Sequence, residues 1–379
     1  MRFSELEGRA VGVWGAGREI SAFAAQLARR LPRARIAVAA FDGPPPQDAR
    51  ERLRSPEAAL VAADGAPGAF AACEVVVRSP GVSIHRPELR ELIGSGVPVT
   101  TATSLWLAER GPAGVLGVTG TKGKSTTAAL AARLLEGAGR RARLAGNIGA
   151  PAIDLLDAPA EELAVVELSS YQIADLTAGP EVAVVTNLFP EHADWHGSFD
   201  AYRREKLRLI ELPGVRVAVL PARDPALHEL HPGVPVVRFG LPSGWDLADG
   251  ALRHAGRPLL AARELPLAGE HNALNLCAAL AAIEALGVQP PPLAEALAGF
   301  EPLPHRLQTV AEAGGVSWVD DSISTTPESA LAALASFPGR PAVLIGGGQD
   351  RGQDYAELGR ALARAGAAVV AVASTGPRL

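Results

Sequence analysis

Cysteine is nearly absent from this sequence: there are two, Cys73 and Cys277, both in apolar runs and neither in a C-x-x-C. A disulfide framework or a cysteine zinc site is therefore not expected, and a reducing cytoplasm is the natural setting. Aromatic residues make up 4% of the chain and methionine occurs once. No apolar run reaches the ~18 residues of a membrane span, so no membrane insertion is expected. The N-terminal stretch MRFSELEGRAVGVWGAG places two acids before its apolar run, unlike a secretion signal. A formal net charge of -5 argues against a bulk nucleic-acid binder. Lysine is the most telling scarcity. Of 36 basic residues only three are lysines: Lys122, Lys124 and Lys206. Where either cation serves, such a chain uses arginine. The lysines left are candidates for positions that need a compact amine.

What the chain does contain is 48% hydrophobic residues over 379 positions, enough for two or three packed domains. Apolar strands at 10–15, 35–41, 74–81 and 97–100 alternate with helical stretches, a βαβ series over residues 1–108. Its 15-GAGREI-20 lacks the third glycine of the dinucleotide fingerprint, which argues against NAD. A second unit, 109–300, has strands at 113–120, 163–168, 182–187, 215–220 and 234–239 and a long helix at 272–287. Prolines near 290 and 302 mark a boundary. A third unit, 301–379, has strands at 316–321, 341–348 and 367–374, expected with two helices to form one small core.

The chemistry gathers in 115-VLGVTGTKGKSTTAALAARLLEGAG-139. A strand runs into a glycine-rich turn, and Lys124-Ser125-Thr126 opens a helix. Backbone N–H groups of such a turn point at an anion, aided by the helix dipole. Lys124 would neutralise phosphate oxygens and a hydroxyl of Ser125 or Thr126 would hold Mg²⁺. Yet G-x-x-x-x-G-K-[ST] requires glycine at 118, where valine stands. Glu167, at the end of an apolar strand in 166-VELSSYQ-172, is where a carboxylate would face such a loop and its metal. The segment 186-TNLFPEHADWHGSFDAYRREKLRLI-210 adds His192 and His196, which are candidate ligands or solvated loop histidines. It also carries Lys206 on a charged helix. There an exposed face residue competes with chemistry on the amine itself.

Taken together, TGTKGKST, GNIG (146–149), ELSSYQ, the TN…EHADWHGS…Y…K segment, GEHNALN (269–275), LPHR (303–306), DDS (320–322) and GGGQDRG (346–352) resemble the Mur ligases in order and spacing. The family's loop reads T-G-T-x-G-K-[ST], so Val118 is regular in it. The resemblance implies an α/β architecture of three domains. These are a Rossmann-like UDP-binding domain, a central P-loop ATPase domain with a parallel sheet, and a Rossmann-like C-terminal domain that is incomplete here, because the family continues beyond Leu379.

It further implies a monomer that uses ATP to join glutamate to UDP-N-acetylmuramoyl-L-alanine through an acyl phosphate. By resemblance the ATP site comprises Gly120, Thr121, Lys122, Gly123, Lys124, Ser125, Thr126, Asn272, Asn275, Arg306 and Asp321. One Mg²⁺ falls to Ser125 and Glu167, the second to His192 and to Lys206 as its CO₂ carbamate. Lys124, His192 and Lys206 are then the catalytic set. Gly15, Arg18, Glu19, Asp42, Ser79, Asn147, Thr325 and Arg351 fall to the substrates. After the first strand of the third unit, the D-glutamate-adding members carry a lysine where Ile323 stands in 320-DDSISTTP-327. This segment and 11-VGVWGAGRE-19 resemble the L-glutamate-adding branch instead. A folylpolyglutamate synthetase would share the loop and the modified lysine but would lack the first unit. An inactive nucleotide-binding fragment would need neither Lys206 nor His192.

Overall fold

A computed structural model describes residues 1–189, 196, 198–267, 269–301, 303–324, 326–337, 339–348, 353–372 and 375–378. His192, Thr325 and Arg351 lie outside the described residues, as do Glu191 and Asp194.

The first sheet is parallel, ordered β3-β2-β1-β4-β5, from β1 (Ala10–Trp14), β2 (Arg35–Phe41), β3 (Ala59–Ala62), β4 (Val75–Arg78) and β5 (Val99–Thr100). Its central strands are apolar without alternation because helices cover both faces. The strand order reverses between β1 and β4, so their C-terminal ends open a crevice. Gly15 turns there at φ +98°, and helix Arg18–Arg30 follows.

The second sheet is also parallel. It contains β6 (Val115–Thr119), β7 (Ala142–Gly146), β8 (Leu163–Glu167), β9 (Val182–Val185), β10 (Val217–Pro221) and β11 (Val236–Phe239), in the order β11-β10-β9-β6-β8-β7. Helices Lys124–Gly137 and Glu270–Ala285 share a core with Leu116, Val118, Val165, Val182, Val184 and Val219. Both are rich in alanine, which lets two helix backbones approach each other closely. The remaining strand residues, Val115, Val166, Ala183 and Val185, join a core that also holds Phe3, Ile20, Phe23 and Trp106. One apolar cluster thus runs from the first sheet to the second. Each leucine or valine fully buried in it contributes about 1.5–3 kcal/mol.

Three antiparallel strands follow: β12 (Trp245–Ala248), β13 (Ala251–His254) and β14 (Arg257–Ala261). The third region departs from the single three-stranded core expected above. The first of the expected strands, β16 (Val316–Asp320), pairs with the preceding β15 (Gln308–Ala313), whereas β17 (Val343–Gly347) and β18 (Ala368–Val372) form a separate parallel pair. The cause is Gly314-Gly315, at φ +59° and +76°. Two successive left-handed residues make the tight turn whose twist suits a hairpin. Among the described residues, no helix is long and apolar enough to cross a membrane. Both cysteines are buried, and burial pushes their thiols up to about 11 (Cys73) and about 12 (Cys277).

Candidate nucleotide and metal site

The site forms where β6, β8 and β9 end side by side. Val118 pairs with both Glu167 and Val184, so the loop after β6 starts between the ends of two neighbouring strands. Gly120 and Gly123 are required there. A Cβ on Gly120 would lie 1.9 Å from Thr186 Oγ1, and one on Gly123 2.2 Å from Asn275 Oδ1. Gly123 also sits at φ +79° as it caps helix Lys124–Gly137. The loop is pinned on its far side. Thr186 Oγ1 donates to the Lys122 carbonyl at 2.6 Å, and Asn187 Nδ2 donates to the same oxygen at 3.0 Å. Lys122 N in turn donates to Asn187 Oδ1 at 2.8 Å. Lys124 curls over the turn, Nζ donating to the Thr121 carbonyl at 2.8 Å.

Gly123→Ala is expected to cost about 1–2 kcal/mol from its left-handed backbone alone, and more from the contact with Asn275. ATP affinity should fall at least ~10-fold, a change of ~1.4 kcal/mol, as read by calorimetry beside a thermal melt. Wild-type affinity would show that this backbone does not shape the phosphate site.

Glu167 is 1% exposed. Its Oε1 accepts from Asn147 Nδ2 at 3.1 Å, while Oε2 is buried with no hydrogen-bond partner among the described residues. A buried carboxylate oxygen left so is costly unless a cation completes it. Ser125 is equally buried, and its hydroxyl meets Arg306 Nη2 at 2.9 Å. A hard divalent cation suits this oxygen donor set. Binding it at Ser125 would exchange a guanidinium contact for a metal bond.

Lys206, on helix Phe199–Leu207, is 2% exposed, which removes the reading of this lysine as a solvent-facing residue. Its Nζ lies 3.5 Å from Thr119 Oγ1, in the strand that feeds the loop, and 4.9 Å from the centre of the Tyr202 ring. The Tyr202 hydroxyl is 2.9 Å from Thr121 Oγ1. His196 sits with Nε2 2.9 Å from Ser170 Oγ, its ring stacked on Tyr171.

The remaining nucleotide candidates arrive from two directions. Asn275 Nδ2 donates to Asn272 Oδ1 at 3.3 Å on the first turns of helix Glu270–Ala285, beside Gly123. Immediately before Asn272, burial lowers the basicity of His271, against a raising influence from Asp321. Asp321 Oδ1 accepts from Leu307 N at 3.0 Å, tying the LPHR turn to the strand end. Next to it, His305 and Ser322 N hydrogen-bond Asp320 and hold its carboxyl down at about 2.

The first-unit candidates divide. Asp42 accepts from Trp14 Nε1 at 3.3 Å and pairs with Arg86. Ser79 faces Gly15 across the β1/β4 crevice. Arg18 donates to the carbonyls of Gly146, Asn147 and Gly149 at 3.0, 3.0 and 2.9 Å. Glu19 accepts from Thr103 N and Oγ1 at 3.0 and 2.7 Å and from Gln172 Nε2 at 3.4 Å. Burial pushes its carboxyl up, opposed by those hydrogen bonds. Both therefore face the junction between the first two sheets. Sequence reasoning missed Thr103, Gln172 and Arg78 there, because nothing local marks a partner so distant in the chain.

A parallel sheet ending in this loop, with a buried acid on the neighbouring strand, defines a P-loop nucleotide-binding protein. A family model described as the Mur ligase middle domain matches residues 118–283, and one described as Mur ligase, glutamate ligase domain, matches 305–379. A relative from Xanthomonas axonopodis pv. citri named UDP-N-acetylmuramoyl-L-alanine--L-glutamate ligase is 44% identical over 391 residues, covering 100% of this chain and 83% of its own. One of the same name from Micromonospora sp. is 44% identical over 395 residues, covering 100% and 84%. Among solved structures, the UDP-N-acetylmuramate-alanine ligase MurC from Thermotoga maritima shares the fold at TM-score 0.57 and 19% identity, over 98% of this chain and 87% of that one. The MurF ligase from the same organism, in complex with ADP, does so at 0.55 and 22%, over 79% and 75%. The chain belongs to the Mur ligase family, and it is an ATP-dependent ligase of peptidoglycan precursor synthesis.

Proposed function

We propose that this chain joins L-glutamate to the alanine carboxylate of UDP-N-acetylmuramoyl-L-alanine. A carboxylate is a poor electrophile, so it must be activated. In the proposed sequence a carboxylate oxygen attacks the γ-phosphorus of ATP and displaces ADP. The glutamate amine attacks the carbonyl carbon of the acyl phosphate, loses a proton, and phosphate leaves with the bridging oxygen. Catalysis is then mainly positioning and charge neutralisation.

Residues Gly120–Thr126 hold the phosphates, with Lys124 against the transferred group. Asn272, Asn275, Arg306 and Asp321 serve the nucleotide. Ser125 and Glu167 hold one Mg²⁺, and His192 with Lys206 as a carbamate holds a second. These ions supply positive charge to the phosphate oxygens. Gly15, Arg18, Glu19, Asp42, Ser79 and Asn147 form the UDP side of the site, with Thr325 and Arg351 toward the amino acid. The functional division is 1–108, 109–300 and 301–379, in a monomer working in the cytoplasm. The carrying observation is the buried, cation-seeking Glu167 beside the phosphate loop, in a chain 44% identical along its whole length to relatives named for the L-glutamate reaction.

The test offers ATP, Mg²⁺ and UDP-N-acetylmuramoyl-L-alanine with either glutamate enantiomer, and measures phosphate release and product chirality. Turnover with L-glutamate is expected, and little with D-glutamate. Preference for the D form would reverse the stereochemical assignment. Release with a folate acceptor, and none with the UDP-linked one, would replace this reading by folylpolyglutamate synthesis.

A further inference from the structure

Arg78 ends β4 with its side chain wholly buried, at 0% exposure. Its Nη1 donates to the carbonyls of Ser79, Pro80 and Val82 at 3.2, 3.2 and 2.5 Å. Its Nη2 donates to the Tyr171 carbonyl at 3.3 Å and pairs with the Asp175 carboxylate. One cation therefore holds the turn beyond β4 on one side and the segment just beyond Glu167 on the other. Asp175 also feels the positive charge of Arg208. Arg208 donates to the carbonyls of Ile173, Ala174 and Leu176, and it follows Lys206 by two residues. Segment 170–176 is thus gripped by Arg78 from the first sheet and by Arg208 from the turn that directly follows the Lys206 helix. Ser104 Oγ and Gln172 add links across the same junction, to the Asp175 carbonyl and to Glu19.

Stability alone does not account for this arrangement. An apolar side chain of similar volume avoids the desolvation cost of a buried ion pair. What a guanidinium adds is a rigid planar fork that fixes several acceptors in one geometry. We propose that Arg78, with Asp175 and Arg208, is a positioning set that locks turn 79–82 in register with Glu167 and Lys206. It thereby sets the span between the bound UDP-linked substrate and the phosphate loop. The inference rests on the assignment of the Ser79 turn to that substrate.

The test compares wild type with Arg78→Lys, which keeps the charge and loses the fork, and with Arg78→Met, which keeps the volume. ATP affinity should stay within about 2-fold of wild type, because the phosphate loop is untouched. KM for UDP-N-acetylmuramoyl-L-alanine should rise at least ~10-fold and kcat should fall at least ~10-fold in both. Amide hydrogen exchange should accelerate in 79–82 and 170–176 and stay unchanged in helix Lys124–Gly137. An Arg78→Lys enzyme with wild-type KM and kcat would overturn the proposal. So would protection lost equally in that helix, in either variant, because it would mark a purely structural role. The exchange comparison needs no turnover. A wild type that fails to ligate the UDP-linked acceptor therefore overturns the substrate assignment, while the exchange pattern still decides the register claim.

Discussion

Lys206→Ala is expected to lose at least ~10²-fold in ligation rate, about 2.7 kcal/mol of barrier, and Lys206→Arg to do no better. The amine is 2% exposed and lies beside Thr119, directly before the phosphate loop. An ammonium held there would repel both a Mg²⁺ ion and any second cation near it. As a carbamate the same side chain becomes an anionic oxygen donor, which hard Mg²⁺ favours. Guanidinium is larger, keeps its charge and forms no such stable carbamate. The competing account is a buried ammonium with a purely structural role, held near Thr119 Oγ1 and the Tyr202 face, 4.9 Å away. That account predicts a loss of thermal stability and no response to added anions. The carbamate account predicts that short carboxylic acids restore part of the Lys206→Ala rate, and that ¹³CO₂ gives a carbamate carbon signal in wild type alone. An arginine variant that ligates at more than about a third of the wild-type rate, a deficit well under 1.4 kcal/mol, contradicts the carbamate.

Lys124→Ala should lower ATP turnover by at least ~10²-fold, with a further loss in ATP affinity. In the structure its Nζ is 2.8 Å from the Thr121 carbonyl, so the charge is already folded onto the turn. Removing one preorganised donor aimed at developing charge costs about 2.7–4 kcal/mol. The loop backbone would still bind phosphate weakly, so affinity should suffer less than rate. Thermal stability should hardly change, because Lys124 is partly exposed on the first turn of its helix. Near wild-type phosphate release would sink the phosphate-loop reading altogether.

The place of Lys124 at the head of its helix was legible in the sequence because turn motifs are local. A turn that needs glycine at 120 and 123, followed by a lysine and a helix, is written in consecutive residues. Glu167 was legible for a similar reason, as an acid ending an unbroken apolar strand. The burial of Lys206 was not. Its helix carries Arg203, Arg204 and Glu205, with Arg208 just beyond its end, and only the packing against β6 shows which face turns inward. Arg18 illustrates the same limit more strongly. Its three carbonyl acceptors lie 128 to 131 positions later, so no local pattern announces them. The edge strand β3, a half-exposed ALVA, was invisible because it has neither alternation nor a turn signal. By contrast β15 carried a usable sign, the Gly314-Gly315 pair between two strand-like runs.

The central claim is that a carboxylate is activated by phosphoryl transfer before an amine displaces phosphate. Its most direct measurement uses UDP-N-acetylmuramoyl-L-alanine labelled with ¹⁸O in the alanine carboxylate, with ATP, Mg²⁺ and L-glutamate. The account predicts that each inorganic phosphate released carries one labelled oxygen, matched one for one by amide product. Amide formed with unlabelled phosphate would contradict it.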